Sequence, residues 1–120
     1  MPAKDLAVDA CLPLTPPVFH VLVALADGEK HGYAILKEVE ERTGGKAPLS
    51  TGTLYAIIKR LLNEGLIVEI DERPDGDDER RRYYRLTEFG KQVAVADARR
   101  MEDALAGART KKLVRKPRPG

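Results

Sequence analysis

The chain has 120 residues, of which 42% are hydrophobic and 33% charged, and its formal net charge is +2. This is the length of one domain, and so small a net charge does not by itself argue for a nucleic-acid partner. Its single cysteine, Cys11, excludes an internal disulfide and fits a reducing compartment. Because no apolar run approaches the roughly 20 residues that span a bilayer, we expect a cytoplasmic protein that does not enter membranes.

The first helix signal lies at residues 15–17, where a threonine and two prolines form a favourable helix start. Residues 1–12, which precede it, are expected to form a flexible N-terminal arm. The helix that follows, to Ala26, is apolar on nearly every side, and such a helix is buried on two sides. One side can meet the chain's own core and the other a second subunit. The residues expected at that subunit contact are Val18, Phe19 and Leu22.

Two further helices are predicted before the first strand. One covers residues 32–43 and is stopped by a pair of glycines. The next opens at Ser50 or Thr51, and Gly65 ends it. Its apolar residues follow the i, i+3, i+4, i+7, i+8 spacing of a helix with one buried face, and they are Leu54, Ile57, Ile58, Leu61 and Leu62.

A β-hairpin is predicted directly after these helices. Residues 66–71 are rich in branched side chains and indicate a strand. A Pro-Asp-Gly turn at 74–76 and a returning strand at 80–86 complete the pair. Three helices followed by such a hairpin are the winged helix-turn-helix arrangement, which the sequence predicts over residues 13–86.

The last helix is predicted over residues 87–108, in an alanine-rich stretch. Apolar residues at spacings of four, three and four form a narrow seam of the coiled-coil type, expected to be a dimer interface through Ala94, Ala98, Met101 and Leu105. Residues 109–120 are strongly basic and contain no acid, so we expect a disordered tail. The predicted fold class is mainly α with a small β-hairpin: a winged helix-turn-helix plus a C-terminal dimerisation helix.

The exposed side of the predicted helix at Ser50 carries the main functional signal. No acid occurs from Ser50 to Asn63, although 19 of the 120 residues are acidic. A helix that enters the major groove needs a small first turn close to base edges, followed by polar and basic side chains. The side opposite the core stripe carries such residues: Gly52, Ala56, Lys59 and Asn63, flanked by Thr53, Tyr55 and Arg60. Each residue taken singly has an ordinary alternative as a solvated charge or a core contact.

The predicted wing has a basic run, and two interpretations of it stay open. Arg80, Arg81 and Arg82 could lie along the phosphate backbone of DNA. They could equally neutralise the acidic residues at 75–79 across the hairpin.

Catalysis is not indicated anywhere in the chain. No nucleophile has a recognisable base partner, and no glycine-rich phosphate loop is present. His20, His31 and Cys11 lack the spacing of metal ligands. His31 precedes a predicted helix and is expected to cap it. We therefore predict no enzyme activity, no cofactor and no metal.

Three strings of the sequence together resemble the PadR-like transcriptional regulators: HGYAILKEVEERTG at 31–44, LSTGTLYAIIKRLLNEGLI at 49–67 and RRRYYRLTEFGKQ at 80–92. The resemblance implies a dimeric repressor on double-stranded DNA that a small, often aromatic, ligand releases. It implies DNA contacts at Ser50, Thr51, Gly52, Thr53, Tyr55 and Lys59, with Tyr33 near the backbone, and Arg82 and Tyr84 match the wing pattern. The single short C-terminal helix is similar to the smaller subfamily.

Two function hypotheses follow. The leading one is a homodimeric, sequence-specific repressor that binds a two-fold symmetric operator. Its effector stays open, because the chain has no tryptophan and only Phe19 and Phe89 could offer an equivalent apolar surface to an aromatic ligand. The alternative is a winged helix that binds another protein, which the small net charge and the mixed-sign wing support.

Overall fold

The computed structural model describes residues 3–70 and 82–115, with the backbone alone for residues 3–5. In these ranges the elements are α1 (Ala3–Ala10), α2 (Pro16–Ala24), β1 (Lys30–His31), α3 (Gly32–Thr43), α4 (Thr51–Asn63), β2 (Ile67–Ile70), β3 (Tyr83–Leu86) and α5 (Glu88–Thr110). The predicted class, mainly helical with a small hairpin, is confirmed. Each predicted helix and strand is present, with ends that differ by a few residues.

The three strands form one antiparallel sheet in the order β1-β3-β2. β2 and β3 are the two strands of the predicted hairpin, and Ile67 lies opposite Leu86. The two-residue strand β1 adds to the other edge, with Lys30 opposite Tyr84. The sequence does not predict β1, because two residues are too few to show an alternating pattern. The turn predicted at 74–76 lies outside the described residues.

The N-terminal segment differs from the flexible arm that the sequence suggests. It forms α1, which packs against α5, and Val8 is 8% exposed and belongs to the core. The sequence does not predict α1, because one buried residue, Val8, gives no apolar periodicity. The C-terminal tail begins later than expected, since α5 continues to Thr110. Residues 116–120 of the tail lie outside the described part of the chain.

The core lies between α2, α3, α4 and the sheet, where α2 contributes most of its length. Val18 is 3% exposed and Leu22 is fully buried within the single chain. Their assignment to a subunit interface is therefore wrong, because no surface of theirs is left to contact a partner. The principal core side chains are Val21, Leu22, Leu25, Ile35, Val39, Leu54, Ile58, Leu61, Leu66, Ile67, Tyr84 and Val93.

Two residues at the start of α5, the cap Thr87 and Gly90, hold the helix close to the sheet. The Thr87 hydroxyl accepts a hydrogen bond from the Gly90 amide at 2.9 Å, which caps the helix. A methyl group at Gly90 would overlap the Leu66 carbonyl oxygen and lie 2.9 Å from its carbonyl carbon. Glycine is thus required here by close approach of helix and sheet.

Further along α5, Asp97 is buried although its side chain is a polar carboxyl group. Its Oδ1 accepts from the Arg100 Nε at 2.8 Å and from the Leu14 amide at 3.5 Å. It joins α5 to the segment that leads into α2. This role is not predictable from the sequence, since an aspartate in an alanine-rich helix is usually solvated.

Candidate nucleic-acid interface

The helix predicted to contact DNA is α4, and Ser50 fixes where it begins. The Ser50 Oγ accepts from the Thr53 amide at 3.1 Å and donates to the Thr53 Oγ1 at 2.9 Å. This is an N-terminal cap, so the helix starts at Thr51. Ser50 and Thr53 therefore have a structural task, whether or not they also contact a ligand.

The two sides of α4 are sharply different. Its buried side packs into the core through Leu54, Ile57, Ile58 and Leu61. The opposite side is exposed, and we call it the reading surface. It comprises Thr51, Gly52, Ala56, Lys59 and Asn63. The structure thus leaves the predicted face open to solvent on a helix whose other face is firmly held.

The charge on this side of α4 is positive. Arg60, at its edge, pairs with Glu64 at 3.3 Å, one turn further on. Lys59 is exposed in a helix that contains no acid. Together with the positive end of the helix dipole at Thr51, Lys59 makes the reading surface suited to an anionic partner.

Tyr33, the residue predicted near the DNA backbone, lies in the first turn of α3 and is 67% exposed. Its ring stacks on His31, with centroids 6.5 Å apart. The His31 Nδ1 accepts from the Ala34 amide at 3.2 Å, so the predicted capping role of His31 is confirmed. Tyr33 is therefore presented outward from a well-supported helix end.

Tyr55 lies between the reading surface and the start of α3. It is 48% exposed, but its hydroxyl packs against Gly32. Burial raises the pKa of the Tyr84 hydroxyl, the charge of Glu69 and the nearby Tyr55 phenol add to this rise, and Arg82 opposes it. Sequence reasoning did not find the contact with Gly32, because it joins residues 23 positions apart.

The wing is described only at its base. Arg82 is 74% exposed on its side chain and lies 3.6 Å from Glu69 of the neighbouring strand. Arg82 thus pairs with an acid of β2 and keeps its guanidinium open to solvent, whereas the acids at 75–79 lie outside the described residues. Arg80 and Arg81 lie outside the described residues.

The predicted dimer residues of α5 differ in how far they are exposed. Ala94 and Ala98 are partly buried, whereas Met101 and Leu105 are 36% and 37% exposed. Every residue from 99 to 107 is exposed, and we call this segment the free half of α5. Phe19, the remaining predicted interface residue, and Phe89 are partly buried against the core.

His20 of α2 lies beside α3. Burial, and secondly the charge of Arg42, lower the pKa of its imidazole. Arg42 also donates to the His20 carbonyl oxygen at 2.8 Å. The His20 Nδ1 is buried without a hydrogen-bond partner in the described part of the chain.

Neither a metal site nor a membrane span is found in the described ranges. No group of three or more histidine, cysteine or acidic side chains there could hold a metal ion. No helix in those ranges is both long and apolar enough to cross a membrane.

Comparison with known proteins decides the family. The model of the transcriptional regulator PadR-like family matches residues 21–96, from within α2 into α5. The chain belongs to the PadR-like family of transcriptional regulators. PadR-like proteins are regulators and not enzymes, in agreement with the sequence.

Three relatives illustrate the match. Transcriptional regulator Rv3488 of Mycobacterium tuberculosis is 37% identical over 84 residues, which are 70% of this chain and 74% of that protein. A PadR family regulator from Clostridium difficile has a TM-score of 0.68 at 26% identity and covers 78% of this chain and 94% of its own. Bacillus subtilis PadR in complex with operator DNA has a TM-score of 0.57 at 25% identity, over 88% of this chain and 51% of that one.

Length differs among the relatives. The match spans 64% and 21% of the length of two other curated relatives. The matched part is 71 residues in one and 81 residues in the other, and the remainder of those proteins has no counterpart in the match.

Proposed function

We propose that this chain is a cytoplasmic, sequence-specific DNA-binding repressor that acts as a homodimer on a two-fold symmetric operator. The observation that carries the proposal is the reading surface: an exposed, acid-free helix side with a small first turn, on a helix held by the core. Base contacts from such a side give specificity, while basic side chains and exposed amides hold the phosphates.

A relative supports the DNA partner. Bacillus subtilis PadR is known in complex with operator DNA, and its fold matches this chain over 88% of its length. We propose that Thr51, Gly52 and Lys59 meet the groove. Tyr33 and Arg82 would lie beside the backbone.

The free half of α5 supports the homodimer. Nine consecutive residues there are exposed, among them Met101 and Leu105, which remain 36% and 37% exposed in the single chain. A helical segment of that length is marginal in water without tertiary contacts. A second copy of the seam would cover these side chains and place two reading surfaces on one DNA molecule.

Selection from a pool of random duplexes tests the proposal. The purified protein is expected to enrich a two-fold symmetric sequence whose half-sites are about one or two helical turns apart, on the order of 34 Å per turn. Enrichment of no sequence, together with a stable complex with another protein, would favour the alternative of a protein-binding winged helix.

Ligand release is the second part of the proposal. The apolar side chains on the free half of α5 and the part-buried Phe19 of α2 supply surfaces on which a flat aromatic molecule could settle between two subunits. Candidate aromatics are expected to raise the melting temperature and weaken operator binding. If a broad panel changes neither quantity, the ligand part of the proposal fails and the DNA-binding part stands.

A further inference from the structure

Tyr55, which the sequence places among the DNA contacts, packs against the start of α3. A methyl group added at Gly32 would lie 2.6 Å from the Tyr55 hydroxyl oxygen and 3.0 Å from the ring carbon that carries it. Non-bonded heavy atoms prefer separations of about 3.5–4.0 Å. The phenol therefore occupies the space that a side chain at residue 32 would need.

The backbone at Gly32 does not itself require glycine. Gly32 is the first residue of α3 and is absent from the glycines with positive φ. An alanine could adopt this conformation, and the obstacle to it is the phenol of Tyr55. The pair Gly32 and Tyr55 is thus a steric match between α4 and α3.

The start of α3 is in turn attached to the wing. β1 pairs with β3, so that His31 lies opposite Tyr83. The two rings meet edge to face, with centroids 5.5 Å apart and planes at 88°. We call β1, the first turn of α3 and β3 the wing base. Tyr55 lies where α4 contacts it.

We propose that Tyr55 is a positioning residue, whose ring sets the distance between α4 and the wing base. It thereby determines whether the reading surface and Arg82 can reach the same DNA molecule together. The inference rests on the DNA-binding function proposed above. It predicts that a change at Gly32, which is itself buried, alters base recognition through α4.

A double-mutant cycle with Gly32→Ala and Tyr55→Phe tests the inference. Gly32→Ala is expected to weaken operator binding about tenfold with a smaller change on random DNA, because phosphate contacts tolerate a shift that base contacts do not. Tyr55→Phe alone keeps the ring and removes the hydroxyl, and its own effect on operator binding is the second reference of the cycle. The double mutant should regain about threefold or more over Gly32→Ala, since the atom closest to the new methyl group is gone.

Tyr33→Phe is the matched control, because it removes a hydroxyl from a neighbouring tyrosine that is 67% exposed and whose ring stacks on His31. It should not restore binding in the Gly32→Ala background. The inference is overturned if Tyr55→Phe alone loses tenfold and the two losses simply add, which would mean that the hydroxyl contacts DNA. It is also overturned if Gly32→Ala leaves operator affinity unchanged.

Thermal unfolding of the same proteins separates this inference from the function it rests on. If the parent protein prefers no DNA sequence, the proposed function fails. The contact remains measurable, as a melting temperature that falls with Gly32→Ala and recovers in the double mutant with Tyr55→Phe. Should Gly32→Ala not fold, the double mutant is still expected to fold, and failure of both would contradict the steric match.

Discussion

α4 and the free half of α5 are both exposed helices, but they differ in what supports them. α4 buries four large apolar side chains on one side and leaves the other open. The free half of α5, residues 99–107, is exposed on every side. α4 is therefore held in place by the core of its own chain, whereas the free half of α5 is not held by a buried side of its own.

The two surfaces also differ in their charge and in their apolar side chains. The reading surface on α4 has no acid and carries Lys59, which suits an anionic partner. The free half of α5 mixes both charge signs with exposed Met101 and Leu105, which suits a protein partner. Rigidity therefore comes from the chain's own core at α4, whereas at the free half of α5 it would come from the second subunit proposed above.

The largest effect on stability is expected where α5 packs against the sheet. Gly90→Ala would force a methyl group onto the Leu66 carbonyl, and backbone on both sides cannot move aside. We expect a loss of about 3 kcal/mol in the free energy of unfolding, measured by urea denaturation.

Gly107→Ala is the control for that experiment, because it lies in the free half of α5 with open space around it. Alanine there should leave stability unchanged or raise it by up to about 1 kcal/mol. Equal losses in the free energy of unfolding for Gly90→Ala and Gly107→Ala would contradict the difference between the attached and the free part of α5.

Leu105→Glu probes the free half of α5 as a subunit contact. A buried unpaired charge at the seam should convert the dimer to monomers, seen by sedimentation equilibrium, and lower operator affinity about a hundredfold. Ala106→Glu adds the same charge about 100° further round the helix and should remain dimeric. A dimeric Leu105→Glu protein would contradict the assignment.

Lys59→Gln probes the reading surface with a smaller effect. If Lys59 contacts a phosphate, binding weakens about equally on all sequences, and the slope of log affinity against log salt falls by about one. Lys91→Gln, on the exposed side of α5, should leave the slope unchanged. An unaltered slope for Lys59→Gln would place that residue away from the phosphates.

The smallest effect is expected from the pH dependence of His20. Its pKa in the folded chain lies below the ordinary value of 6.5, so the unfolded chain binds the proton more readily. Stability is therefore full above pH 6.5 and falls as the pH drops toward the lowered folded pKa. In His20→Gln this decline should be shallower when unfolding is followed between pH 7 and about 5; a parallel curve would show that His20 does not contribute.

The sequence predicts α4 and its two sides because neighbouring residues alone determine where the helix begins and ends and which side is apolar. The apolar spacing from Leu54 to Leu61, the cap at Ser50 and the stop at Gly65 are all consistent with one helix. The family resemblance likewise rests on contiguous strings, and the match over residues 21–96 confirms it.

What the sequence could not predict depends on contacts between distant residues. α1 has one core anchor, Val8, and β1 has two residues, so neither shows a period. Val18 and Leu22 look like interface residues on an all-apolar helix until the packing shows them inside the core. The roles of Gly32 and Gly90 follow from the atoms of Tyr55 and Leu66, which only the folded chain brings close.

Gly52→Ala is the most direct measurement of the central claim, that the reading surface meets base edges. Gly52 lies in the first turn of α4 with nothing within 4 Å of an added methyl group, so the fold should be unaffected and the melting temperature unchanged or slightly higher. If the first turn lies against base edges, operator affinity falls about tenfold or more while affinity for random DNA stays the same. Unchanged operator affinity, or an equal loss on both DNAs, would contradict the account.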